Sequence, residues 1–414
     1  MSAALTIKPL KRLTQINREV LSESTSEDFE IEYVDISNVS GMGRILGTET
    51  LLFGKAPSRA RRLVQNGDTI ISTVRTYLRA ITSIQSPPSN LVVSTGFATL
   101  TPGPEIDGGY FAYLAQTEHF IHEVVSRSTG VSYPAITPSE LGNIKISYPP
   151  LPTQRRIATY LDRETAQIDA LVAEKETLLG LLEEKRASLI SHAVTRGLNP
   201  KAKLKPSGIP WLGDVPVHWS VLPLKRLTTT IKTGTTPNTD DVTVEGDFDW
   251  YTPGDFGHDI HLSPSKRRIF RESDSFDSLR VFPAGTILFV GIGATLGKCS
   301  VSLTDCSANQ QINAIVPTRE TNSIFLCLSL RAQAEGIRLM ANASTIGILN
   351  QERTSAIPIA VPPPAEQSAI AAECLRISTA TDRAIAEIQT SITLLREKRS
   401  SLISAAVTGE MAVP

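Results

Sequence analysis

The chain has 414 residues, 41% hydrophobic and 20% charged, with a formal net charge of −1. That composition fits a folded globular protein of two or three domains and excludes a disordered or collagen-like chain. No apolar run reaches membrane length, the first twelve residues lack the apolar core of a secretion signal, and the four cysteines have no metal-type spacing; reduced thiols in a cytoplasmic protein are expected.

Residues 8–146 alternate short β-type runs with turn signals. Glu30–Ile36, Thr69–Val74, Ala80–Ile84, Leu91–Ser94 and Phe97–Leu100 read as strands, and Tyr110–Ser126 as a helix. Within this globule Arg44, Lys55, Arg59, Arg61, Arg62, Arg75 and Arg79 face only Glu49 and Asp68 across the same stretch. The balanced net charge argues against a polyanionic partner, yet such a local patch suffices to meet one.

Pro149, Pro150 and Pro152 then open a long helix, with Thr153 placed to cap it and Gly197 to end it. Residues 198–210 are rich in lysine and proline and read as a surface linker. A second globule follows, in which Thr286–Ile292 has the apolar character of a buried strand.

The chain is duplicated. Shifted by 213 positions, Pro149–Thr195 aligns without a gap on Pro362–Thr408, with 22 identities in 47 positions, among them Gln154 with Gln367 and Glu184-Lys185-Arg186 with Glu397-Lys398-Arg399. Pro9-Leu10-Lys11-Arg12-Leu13-Thr14 recurs as Pro223-Leu224-Lys225-Arg226-Leu227-Thr228, so the repeat takes in the globules as well as the helices. Their intervening loops differ, as expected of two similar platforms with different surfaces. An apolar seam follows Ile168, Leu171, Leu178, Leu182 and Leu189, with Lys175 and Lys185 in the gaps. The second helix offers Ile385, Ile388, Ile392, Leu395 and Leu402, interrupted by Arg399. Heptads of this kind want a partner helix, and the nearest is the other copy.

The tempting catalytic motifs fail. Gly291–Cys299 mimics a phosphate loop but has five residues between Gly291 and Gly297 where four are needed, and a cysteine where Ser or Thr should stand. A turn between strands is the better reading. His258 and His261 lack a third ligand cluster, Glu183 and Lys185 sit in the helical seam, and Ser86-Pro87-Pro88-Ser89 lacks the aromatic of a base-methylating tetrad. No catalytic constellation emerges.

The run Pro149–Ala158, with Leu161–Thr165, Ile168–Leu171 and Leu182–Ile190, resembles the central conserved region of the specificity subunit of Type I restriction–modification systems. Lys205–Gly213 with Pro216–Trp219 is similar to that family's entry to its second half. Gly234–Pro237, Trp250–Asp255, Asn309–Ile312 and Thr345–Ile359 resemble its target-recognition domains. Thr153 departs from the glutamate that the family often has before Gln154. The resemblance implies an α+β fold with an internal pseudo-two-fold repeat: two α/β target-recognition domains separated by two long helices packed as an antiparallel coiled coil.

The expected segments are a first domain at 1–148, a helix at 149–197, a linker at 198–220, a second domain at 221–360 and a helix at 361–414. The implied function is non-enzymatic: each domain reads one half of a bipartite asymmetric site on double-stranded DNA, while the helices set the spacing and dock two methyltransferase subunits. Restriction subunits join that core, and S-adenosylmethionine, ATP and magnesium belong to the partners. Half-sites one turn apart lie about 34–36 Å from each other. Arginine and Asn/Gln side chains read base edges, and other basic groups hold phosphates. The candidate contacts are Lys55, Arg59, Arg61, Arg62, Arg75, Tyr77 and Arg79 in the first domain. In the second they are Lys232, Thr235, Lys266, Arg267, Arg268, Lys298, Gln310 and Gln311. The rival reading is a coiled-coil scaffold that does not read DNA.

Overall fold

The computed structural model describes residues 5–41, 43–342 and 347–414; Met1–Ala4, and Thr345 and Ile346 at the start of the Thr345–Ile359 segment, lie outside the described residues. The chain forms two compact units, residues 1–176 with 388–414 and residues 177–387. The division falls inside both long helices. Each unit therefore holds one globule (hereafter a head), half of the central helix (Leu151–Arg196) and half of the C-terminal helix (Pro364–Thr408).

In the first unit an antiparallel sheet runs Thr14–Ile16, Phe97–Pro102, Thr69–Ser72, Ile81–Ser83. Thr69–Ser72 is buried along its whole length, as a central strand of β-branched residues should be. A second sheet orders Glu49–Leu52, Glu30–Val34, Leu91–Ser94, Ala60–Leu63, with its middle pair parallel. The predicted helix Tyr110–Ser126 is two helices, Gly108–Leu114 and Glu118–Ser126. The break is chemical: the Thr117 hydroxyl accepts the Phe120 amide and caps a new helix.

The second unit repeats this plan. Its main sheet runs Thr228–Thr233, Ile312–Pro317, Ile287–Val290, Cys299–Val301, all antiparallel, and its smaller sheet pairs Phe248–Tyr251 in parallel with Ser307–Ala308. Gly291–Lys298 is the turn between two of these strands. The stretch read as a linker is partly structured: Leu204–Pro206 pairs with Asp214–Pro216, and Val215 and Trp219 are buried against Phe325 and Ile370. Two tryptophans in a lysine- and proline-rich stretch supply the apolar area that docks it.

Both repeated motifs do the same work twice. Leu10 and Leu224 are wholly buried, and their amides donate to Ile144 O and Ile357 O at 2.9 and 2.8 Å. Gln154 is buried at the start of the central helix. Its amide nitrogen donates to Pro149 O and Glu105 O, and its oxygen accepts the Asp107 N–H at 2.8 Å. Gln367 likewise donates to Pro362 O and accepts the Asn322 N–H at 2.9 Å. Asp107 and Asn322 each cap a helix of the head, so one glutamine per unit joins a head helix to a long helix. The central helix begins at Leu151, which puts Thr153 inside the first turn instead of at the cap. The Pro150 carbonyl receives the Thr153 and Gln154 amides there. Gly197 ends the helix at a left-handed φ of 77°.

The long helices run antiparallel within each unit. In the first, Asp169 and Glu176 meet Arg399 and Arg396 in reverse order; in the second, Arg186 meets Asp382 while Ala193 and Val194 pack with Ile370 and Cys374. The seam on the central helix differs from the predicted one. Ile168, Val172, Leu179, Leu182, Arg186 and Ile190 face inward, whereas Leu171, Leu178 and Leu189 are exposed. The heptad rule selects either member of the adjacent apolar pairs Leu171-Val172, Leu178-Leu179 and Leu189-Ile190, and the fold takes the second of each. On the C-terminal helix Ile385, Ile388, Ile392, Leu395 and Leu402 lie in the seam.

Arg399 does more than interrupt that seam. Its Nε donates to Asp169 at 3.0 Å, both side chains being only about a tenth exposed (11% and 10%), and Arg44 from the first head pairs with the other Asp169 oxygen at 2.9 Å. The repeat-related pair Arg186–Asp382 is 20% and 57% exposed. Loss of one partner from a buried pair strands the other charge, whereas a solvated pair is worth little. Asp169→Ala, which leaves the buried Arg399 without its carboxylate, should therefore destabilise the first unit by about 3 kcal/mol or more, and Asp382→Ala the second by about 1 kcal/mol or less, read by urea unfolding of the two variants. Equal losses would contradict the difference in burial.

Candidate nucleic-acid interface

The structure spreads the first-head candidates over distinct settings. Lys55 is exposed at the end of the short helical turn Phe53–Lys55. Arg59 pairs with Asp35 at 2.6 Å and donates to the Tyr33 hydroxyl. Arg61 lies over the Phe53 ring at 4.5 Å. Arg62 is half-buried on the same strand; burial lowers its pKa, and its buried Nε has no partner among the described residues. Arg79 forms a two-armed pair with Glu118. Arg75 and Tyr77 share an exposed turn, Arg75 with its guanidinium 4.7 Å from the Tyr133 ring centroid. Arg59 and Arg79 are thus neutralised locally, while Lys55, Arg75 and Tyr77 face solvent.

In the second head, Lys232, Lys266, Lys298 and Gln310 are exposed. Lys298 closes the Gly291–Lys298 turn, where its carbonyl accepts the Val290 amide. Thr235 is turned to internal use: its carbonyl accepts the Trp250 indole N–H and its hydroxyl oxygen the Arg280 amide. Arg267 donates to the Thr252 hydroxyl at 3.0 Å, and Arg268 pairs at 3.0 Å with Asp249, an acid 9% exposed. Gln311 accepts from Asn309 Nδ2. The Lys266-Arg267-Arg268 cluster therefore splits, with Lys266 free to meet an anion and Arg268 neutralising a buried one.

No group of three or more His, Cys, Asp or Glu side chains suited to a metal occurs among the described residues. His258 and His261 line a cleft of about 700 Å³ with Arg186, Asp259, Ser378 and Asp382. Their loop is pinned by Arg331, whose guanidinium donates to His258 O and Asp259 O and to Cys299 O. All four cysteines are buried and unpaired; burial pushes the Cys306 thiol up to about 12 and the Cys374 thiol up to about 11. Among the described residues no helix is long and apolar enough to cross a membrane. Sequence reasoning counts Arg44 in the basic patch, although it is spent on Asp169, and passes over Arg331, because nothing local marks their distant partners. It also misses the exposed tip Val131–Tyr133, since a lone valine in a Ser/Gly turn has no periodicity.

Two heads of one topology on paired helices are what the comparisons with known proteins also find. A family model described as the Type I restriction modification DNA specificity domain matches residues 30–179 and again 216–393. The chain belongs to this family. The HindI specificity subunit of Haemophilus influenzae is 23% identical over 366 residues, 74% of this chain and 79% of that one. The MjaIX specificity subunit of Methanocaldococcus jannaschii is 28% identical over 165 residues, which is 39% of this chain and only 38% of that protein. Among solved structures, one from work on complex assembly and conformational transition of the type I R-M system aligns with a TM-score of 0.78 at 20% identity, over 99% of this chain and 100% of that chain. The HsdS subunit from Thermoanaerobacter tengcongensis aligns at 0.54 and 21% identity, over 99% and 98% of the two chains. These likenesses support the same fold: two mixed helix-and-strand domains, a long central helix and a long C-terminal one.

The different settings of Lys266 and Arg268 give a direct test. Arg268→Ala leaves the Asp249 carboxylate buried without its ionic partner and should lower stability by about 2 kcal/mol, whereas Lys266→Ala should leave thermal melting unchanged. Equal melting of the two variants would refute the division.

Proposed function

We propose that this chain reads a bipartite, asymmetric DNA sequence, one half with each head, as the specificity subunit of a Type I restriction–modification complex. The observation that carries this is the duplication itself: one topology built twice, on the same glutamine joint, with loops that differ. A shared scaffold positions; unlike loops supply unlike preferences. Basic and polar side chains at those loops (Lys55, Arg75 and Tyr77 in one head, Lys266, Lys298 and Gln310 in the other), with Lys232 on the edge strand Thr228–Thr233, have the chemistry for phosphates and base edges.

The helices have a second role in this reading. Their inner faces are spent on each other, but Leu178, Leu181 and Leu189 on the central helix stay exposed. Such a stripe suits the docking of a methyltransferase subunit; at the repeat-related positions Ser391, Leu394 and Leu402 only Leu394 is exposed, so the second subunit expected from the duplication would meet a more polar face. Those partners, with the restriction subunits, would carry S-adenosylmethionine, ATP and magnesium, and this chain would supply recognition without chemistry. The scaffold alternative needs no basic or aromatic side chains at the loop tips, and so leaves them unexplained.

Mapping modified bases in DNA from cells that carry this chain with its methyltransferase should give a split motif with two unlike halves. Replacing residues 1–148 by the matching head of a relative should change one half alone. Methylation indifferent to this chain would sink the reading, and a change in both halves would contradict one head per half-site.

A further inference from the structure

The first head carries a projecting hairpin whose tip is built for contact. Thr129 and Ala135 exchange both backbone hydrogen bonds at 2.9 Å and close a turn in which Val131 is fully exposed and Tyr133 largely so. An exposed apolar tip on a mobile loop would mean little, but this one is anchored. The Arg75 amide donates to Pro134 O at 2.8 Å, the Ile136 amide to Thr73 O, and the Thr76 and Ser128 hydroxyls bond each other at 3.0 Å.

Beside it lies the turn Thr76–Leu78, flanked by Arg75 and Arg79, two non-glycine residues at left-handed φ of 50° and 55°. Such residues are held against their preference, which is characteristic of sites where orientation matters more than stability. The turn thrusts Tyr77 and Leu78 into solvent. Arg75 stacks on the Tyr133 ring, and no described carboxylate pairs with it, unlike Arg59 and Arg79. The ring contact restrains the guanidinium, whose N–H groups have no carboxylate to bond, and such a group can read guanine O6 and N7 in the major groove. An exposed apolar residue on the same hairpin, Val131, matches a thymine methyl.

We infer that the Thr129–Ala135 hairpin, with Arg75 braced on Tyr133, is the base-reading tip of the first head, and that Val131 and Tyr133 are specificity-determining residues for its half-site. The inference rests on the DNA-reading function proposed above. A protein partner would also accept exposed aromatic and arginine side chains; base reading is preferred here because it rests on the same head that the proposed function assigns to DNA.

The test is the methylated motif written in cells by the full chain with its methyltransferase, for Val131→Ser, Tyr133→Ala, Tyr133→Phe and Arg75→Lys. Val131→Ser removes the exposed methyl groups from a residue that is fully exposed, so its effect is free of unfolding; melting curves monitor the others. Val131→Ser, Tyr133→Ala and Arg75→Lys should each relax or shift a base position in one half of the motif, with about a tenfold loss of preference there. Tyr133→Phe keeps the ring and should keep the motif. An unchanged motif in the first three, while whole-head exchange still alters one half, overturns the hairpin assignment and leaves the wider function standing. If head exchange moves neither half, the wider function fails instead. Loss of methyltransferase binding with an unaltered motif assigns the tip to a protein partner and likewise overturns the inference.

Discussion

Everything in the fold depends on two helices of one origin finding each other in opposite directions, and a carboxylate–guanidinium exchange fixes how they do so. Asp169 and Asp382 occupy the same place in the repeat, as do Arg186 and Arg399. The bonds cross over, Asp169 to Arg399 and Arg186 to Asp382. A helix that carries an acid and a base seventeen residues apart is complementary to its own copy only when the copy runs antiparallel. Apolar burial supplies most of the adhesion but little direction. The ion pairs and their hydrogen bonds supply alignment, and Arg44 adds the first head to the same carboxylate.

Much of this was legible in the amino acids. The repeats revealed two equivalent halves, and two of their identities, Gln154 with Gln367 in the ungapped helix repeat and Leu10 with Leu224 in the short head motif, are residues at the joints. The phosphate-loop mimic was correctly a turn. What could not be read has a common cause, which is that it depended on distant partners. Arg399 looked like a flaw in an apolar seam because Asp169 is 230 positions away in the chain. Leu171, Leu178 and Leu189 looked like seam residues because each stands next to another apolar side chain, and periodicity cannot separate neighbours 100° apart on a helix. Thr117 broke one predicted helix into two through a single hydroxyl.

The candidate DNA contacts show the same limit at the scale of single side chains. A run such as Lys266-Arg267-Arg268 reads as one positive patch. In the fold, Arg268 answers Asp249, Arg267 bonds the neutral Thr252 hydroxyl, and Lys266 has no partner in the contacts described, so of the three only Arg268 is neutralised. In the first head, Asp35 and Glu118 hold Arg59 and Arg79, while Arg75 rests on an aromatic ring. Near-neutral composition is thus compatible with polyanion binding. Acids and bases are paired within each head, and a small remainder of positive charge is placed on loops.

The doubled apolar residues of the central helix carry a consequence for how such a chain exists in a cell. With one member of each pair facing the partner helix, the other leaves Leu171, Leu178 and Leu189 in water. A helix that is oily on two sides is incomplete alone, and water drives its second side toward any apolar surface on offer. In the docking reading proposed above, the partner covers that side, and chain made in excess of its partner should self-associate or be degraded.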